Sequence, residues 1–129
     1  MLPKHVVELA KGPNYAVFST TLPSGYPQTH VMWVDTDGEH LLINTAVSRQ
    51  KFRNVQANSK VSVTIINGTD FFDWVEVRGT VVDSVTGEAA RQHIDELAHT
   101  YFDAPFGGPE LERVILKIRP VRIVEHTPG

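Results

Sequence analysis

Leu41 to Asn54 reads L-L-I-N-T-A-V-S-R-Q-K-F-R-N. The run L-L-I-N-T is strongly β-forming, Ser48 can serve as an N-cap, and residues 48–57 then read as a helix. Arg49, Lys51 and Arg53 put three cations in or near its first turn. A strand delivering the chain into a helix start with added positive charge is a candidate anion site. The free backbone N–H groups and the helix dipole point the same way. On an ideal helix Lys51 lies about 200° round the axis from Arg49, so the two converge only over the N-terminal end. Arg53 and Asn54 are more lateral.

Outward from this stretch, the pattern is mainly β. Tyr15–Leu22, Pro27–Asp35 and Glu39–Thr45 read as three strands of a meander, joined by Pro23-Ser24-Gly25 and Thr36-Asp37-Gly38 turns. Lys60–Ile66 and Phe71–Asp83 are further strands. Gly79, inside the second of these, predicts a bulge or a close backbone approach. Leu111–Arg119 and Val121–His126 read as last strands, separated by Pro120. Short helices are expected over 3–11 and 48–57. Another runs from a Thr86 cap to about Tyr101, where Ala90, Ile94, Leu97, Ala98 and Tyr101 form one apolar stripe. Strands at hairpin spacing with three short helices predict a closed or nearly closed antiparallel barrel, in one domain over residues 1–129.

Bulk properties narrow the function. The 129 residues carry a formal charge of −3, contain no cysteine and show no membrane-length apolar run. No nucleic acid, membrane or disulfide framework is expected, and the default location is the cytoplasm. His93 and His99 share a helix but lie about 600° apart in rotation, on different faces, so they form no metal pair. No metal site, nucleophile elbow, P-loop or dinucleotide fingerprint is present. Aromatics at Trp33 and at Phe71, Phe72 and Trp74 suit core or dimer packing. Beside a basic helix start they also suit a flat, phosphorylated cofactor.

Four segments in order resemble one superfamily. They are G-Y-P-Q-T-H-V-M-W-V-D (Gly25–Asp35), the Leu41–Asn54 stretch, K-V-S-V-T-I (Lys60–Ile65) and V-E-V-R-G-T-V (Val75–Val81). The chain resembles the pyridoxamine 5′-phosphate oxidase-like flavin and deazaflavin oxidoreductases, in particular their small F420-dependent branch. The resemblance implies an antiparallel split β-barrel of the FMN-binding type, and a homodimer with shared cofactor sites. It implies that His30, Val31, Met32 and Trp33 line the ring of the cofactor, that the segment Asn44–Thr45 and the following R-x-K place Arg49 and Lys51 on its phosphate, and that Asn54 is a further cofactor-binding residue. Phe71 and Trp74 would come from the partner subunit. Lys4, Lys11 and Arg53 are candidates for the acidic tail of the deazaflavin. The implied cofactor is coenzyme F420, with FMN as the alternative. The implied activity is hydride transfer between the deazaflavin and a small unsaturated organic molecule. The alternatives are an FMN oxidase or reductase, and a carrier without turnover.

Overall fold

The computed structural model describes residues 1–128. The elements are α1 (Lys4–Lys11), β1 (Tyr15–Thr21), β2 (Pro27–Met32), β3 (Asp35–Thr36), β4 (Leu41–Ala46), α2 (Gln50–Ala57), β5 (Lys60–Asn67), β6 (Asp70–Thr86), α3 (Glu88–Phe102) and β7 (Arg113–His126). The seven strands form one sheet in the order β2-β1-β5-β6-β7-β4-β3, and every pairing is antiparallel.

The two edge strands are β2 and β3, yet only Trp33 and Val34 separate them in sequence. Three Cα–Cα steps span at most about 11 Å, so the opposite edges of the sheet must curl round to meet. This is the expected barrel, nearly closed. The expected meander over residues 14–45 does not form. β2 pairs with β1 alone, and β4 pairs with β3 and β7. The chain breaks at Trp33–Val34 because a distant residue captures it. Val34 N–H donates to Tyr101 Oη at 3.2 Å, and Trp33 stacks on the Tyr101 ring at 5.2 Å.

Alternation decides what fills the barrel. Phe18, Val63, Ile65, Val75 and Val77 point inward with Leu41, Ile43, Val114, Leu116 and Ile118. Helix α1 adds Val6, Leu9 and Ala10 to the same core. All six residues of β4 are buried, since its second face lies under α3, where Leu42 packs with Ala90 and Ile115. The expected stripe of α3 is observed: Ala90, Ile94, Leu97 and Ala98 are buried, with His93 beside them.

Beyond the break at Trp33–Val34, three boundary differences bear on the fold. β6 continues to Thr86, which pairs with Val114, so Gly87 rather than Thr86 precedes α3, at φ 79°. The last two strands are one, β7, with Pro120 in its middle opposite Gly79. Proline is tolerated there because the register shifts at Arg78/Gly79. Gly79 is a close approach as well: a Cβ there would lie 2.5 Å from the Arg119 carbonyl oxygen. The third difference lies at the start of α2, where Ser48 does not cap and Arg49 stands at the N-cap position without a side-chain bond.

Candidate functional site

Helix α2 is pinned from below. Val55 is buried and Phe52 packs against the barrel core. Asn54 is 1% exposed. Its Nδ2 donates to Thr20 Oγ1 at 3.0 Å and to Gln28 Oε1 at 3.3 Å, and its Oδ1 accepts from Gln50 Nε2 at 2.8 Å. Asn54 is thus a brace between α2, β1 and β2, with its amide turned inward. Arg53 closes the first turn, donating to the Ser48 carbonyl at 3.0 Å and to Gln50 Oε1 at 2.8 Å.

Arg49 and Lys51 are left over. Neither joins an ion pair among the described residues. Partial burial, and after it the charge of Arg49, hold the Lys51 ammonium below its ordinary value. Two cations crowded at a helix start, with no carboxylate partner, are a destabilising arrangement that a bound anion relieves.

A third cation arrives from β7. Arg113 sits opposite Ala46 in the ladder, three residues before Arg49, and Val47 N–H bonds the Glu112 carbonyl at 3.0 Å. Burial first, then the charges of Arg49 and Arg91, lower the Arg113 guanidinium from its ordinary range. The guanidinium carbon lies 5.2 Å from the Phe106 ring centre.

Behind Arg113 runs a chain of buried polar groups. Arg113 Nε donates to Asn44 Oδ1 at 3.0 Å. Asn44 Nδ2 donates to the Ala90 carbonyl at 2.9 Å and to His93 Nδ1 at 3.1 Å. These partners fix the amide orientation, because a carbonyl needs a donor and an arginine N–H needs an acceptor. His93 Nδ1 therefore accepts, and Nε2 carries the hydrogen given to Asp35 Oδ2 at 2.9 Å. Lys11 Nζ holds Asp35 Oδ1 at 2.8 Å. Burial alone would raise the Asp35 carboxyl; the hydrogen bonds from His93, Lys11 and the Thr36 N–H outweigh it and lower it.

The other expected site residues fall in different places. Thr45 is buried in the barrel wall. His30 and Val31 are exposed on edge strand β2, while Met32 packs on the core. Trp33 stands in an aromatic cluster with Tyr101, Phe102 and Phe106. Phe71 is exposed, and Trp74 stacks on His126 at the far end of β7. Trp74 and Thr86, which lies beside Arg113 through Val114, are twelve residues apart along β6, up to about 40 Å of extended strand. Phe71 and Trp74 are not gathered with the cations of their own chain. Of the tail candidates, Lys4 pairs with Glu8 and Lys11 with Asp35. No cluster of three acidic or histidine side chains that could hold a metal occurs among the described residues, and no helix there is long and apolar enough to cross a membrane.

Sequence reasoning missed Arg113, His93 and Asp35. The available signal was Asn44 itself. An amide inside a strand of mostly apolar residues requires partners on every polar atom once it is buried.

Comparison with known proteins agrees with this architecture. A solved structure of an F420 reductase superposes with a TM-score of 0.82, at 32% identity, over 95% of this chain and 98% of that one. A putative pyridoxamine 5′-phosphate oxidase from Listeria innocua superposes at 0.66 with 19% identity, over 93% of this chain and 91% of that one. A haem storage protein from Vibrio cholerae shares the fold at 0.65 with 13% identity, over 97% and 94% of the two chains. No curated protein sequence matches significantly. The pyridoxamine 5′-phosphate oxidase family matches residues 2–127. With its nearly closed barrel of seven antiparallel strands and its cationic α2 start, the chain belongs to the pyridoxamine 5′-phosphate oxidase family of split barrels.

Proposed function

We propose that this protein is a cytoplasmic F420-dependent reductase acting on a small unsaturated organic molecule, such as an enone or a tetrapyrrole-like compound. The observation that carries this reading is the carboxylate-free cation pair Arg49 and Lys51 on a pinned helix start. Likeness to an F420 reductase at 32% identity favours the deazaflavin over FMN, which the same phosphate residues would also suit. When bound, the deazaflavin supplies the hydride chemistry; the protein supplies orientation and electrostatics. Arg49 and Lys51 hold the phosphate over the α2 N-terminus. Met32, anchored in the core, keeps β2 in place beside it.

The active form is a homodimer with two shared cofactor sites. Support comes from strands β1, β2, β6 and β7, which carry Tyr15, Val31, Phe71, Phe72 and Val121 as exposed apolar side chains. A groove of about 540 Å³ there is lined by Ser19, Ser62, Arg78 and Val121. Such a surface fits a second copy, which would also bring Phe71 and Trp74 to the other subunit's cofactor.

The test is a fluorescence titration of the purified protein with F420 and with FMN. Consumption of reduced F420 is then followed over a panel of unsaturated acceptors. Preferential F420 binding with acceptor-dependent consumption is expected. Selective FMN binding would sink the proposal. Tight F420 binding without turnover on any acceptor would make the protein a carrier.

A further inference from the structure

We propose that Arg113 is the third cation of the anion site, holding the same phosphate as Arg49 and Lys51, and that Asn44 and His93 are positioning residues that aim its guanidinium. The identity of the anion rests on the function proposed above; the convergence of charge does not.

The two arginines near Phe106 differ in what neutralises them. Arg91 Nη1 donates to Asp95 Oδ1 at 3.0 Å and its Nη2 to Glu110 Oε1 at 3.4 Å. Its charge is spent within the protein. Arg113 meets no carboxylate among the described residues; its one hydrogen bond there is through Nε to the neutral Asn44. Both Nη groups of Arg113 remain for an outside acceptor. A guanidinium gripped at Nε, with one face on an aromatic ring, presents its two Nη atoms as a fixed fork suited to phosphate oxygens.

The support for that grip is unusually deep for a surface cation. Asn44 is 4% exposed and His93 7%. Each polar atom of both is used, in one direction only. Turning the Asn44 amide over would put a carbonyl oxygen against the Ala90 carbonyl and an N–H against Arg113. The chain continues through Asp35 to Lys11, tying β3 and α1 to the same orientation. A fully satisfied buried polar network rigidifies the groups it joins, and in some proteins such networks serve specificity of geometry more than stability. The geometry specified here is the direction of the Arg113 fork.

The first experiment titrates inorganic phosphate into isotopically labelled protein and follows the arginine Nε–H resonances. A saturable shift of the Arg113 signal is expected, with that signal absent in Arg113→Lys. An unmoved Arg113 signal overturns the inference, even if F420 binds through Arg49 and Lys51. A shifted signal in a protein that binds neither F420 nor FMN upholds the anion site and overturns the cofactor reading. The second experiment is a double-mutant cycle on F420 affinity. Arg113→Gln weakens binding about ten- to a hundredfold. Asn44→Ala weakens it roughly three- to tenfold in the native background, and by less than about twofold once Arg113 is Gln. Equal losses in both backgrounds would make Asn44 merely structural. If Asn44→Ala does not fold, His93→Phe enters the cycle in its place, with the same non-additivity expected.

Discussion

Arg113 and Asn44 are joined at 3.0 Å across adjacent strands, and through them the start of β7 is oriented by helix α3. The bond runs on the face of β4 that the barrel core does not use. One face of this strand therefore builds the barrel with Leu41 and Ile43, while the other carries Asn44 beneath α3. The next residues, Val47 to Arg49, leave the same strand to start α2. A single strand thus sets both sides of the cation cluster.

Lys51→Ala tests the simplest part of the site. Lys51 is half-buried and makes no ion pair, so the folded chain loses little when it goes. A hydrogen bond to a charged group contributes roughly 1.5–3 kcal/mol. Cofactor affinity should therefore fall about ten- to a hundredfold with the melting temperature nearly unchanged. The pH dependence has a definite sign. A bound anion favours the protonated ammonium, so affinity should weaken as pH rises through the lowered Lys51 titration, and Lys51→Ala should flatten that limb. Isothermal titration at several pH values reads both effects.

Much of the fold was legible in the sequence, and what was missed shares one cause. Period-two alternation located β1, β5 and β6, and the stripe from Ala90 to Ala98 located α3. Those signals are local. The break at Trp33–Val34 is not, because it depends on Tyr101, 67 residues beyond Val34. Without it, β2 and β4 look like neighbours of a meander, whereas they stand near opposite edges of the sheet. Arg113 was invisible for the same reason. Nothing in R-V-I-L-K-I marks its first residue, and only the register opposite Ala46 brings it to Arg49. The partners of the Asn54 amide, Thr20 and Gln28, come from β1 and β2 and are likewise invisible in the helix pattern.

Gly79→Ala should destabilise the barrel without touching the cations. The added methyl would lie 2.5 Å from the Arg119 carbonyl oxygen and 2.7 Å from Ile118 Cγ2. The first of these is backbone in a paired strand and cannot swing away. Overpacking of this kind costs about 1–3 kcal/mol. An unfolding free energy from denaturant titration that falls by that amount supports the close approach; an unchanged one shows that β7 can shift outward at Pro120.

Asp37 gives the β3–β4 turn an acid sensitivity of known direction. Burial alone would raise its carboxyl, but the backbone N–H groups of His40 and Glu39 and the His40 ring lower it to about 2. A depressed carboxylate stabilises the fold fully above its unfolded value, 3.8, and the contribution disappears as pH falls through about 2. Between those values the stability of the native protein should drop with a slope that Asp37→Asn lacks. The asparagine keeps an acceptor for Glu39 and His40 N–H but does not titrate. Identical acid profiles for the two proteins would show that the turn does not contribute.

The shared site makes the most demanding prediction. Arg49 and Lys51 lie at the α2 start, whereas Phe71 lies at the far end of β6 from the strand residues nearest Arg113. If each cofactor uses the cations of one subunit and the aromatics of its partner, two crippled variants should complement each other. Lys51→Ala homodimers would lack the phosphate contact at both sites, and Phe71→Ser homodimers would lack the ring contact at both. In a mixed dimer, one site carries both defects and the other carries neither. Co-refolding equal amounts gives half mixed dimers, so tight F420 binding should return to about a quarter of the sites. Fluorescence titration counts those sites directly. Recovery of none, with mixed dimers verified by mass, would place both contacts within one subunit. A monomer that binds F420 at full affinity would remove the shared site altogether.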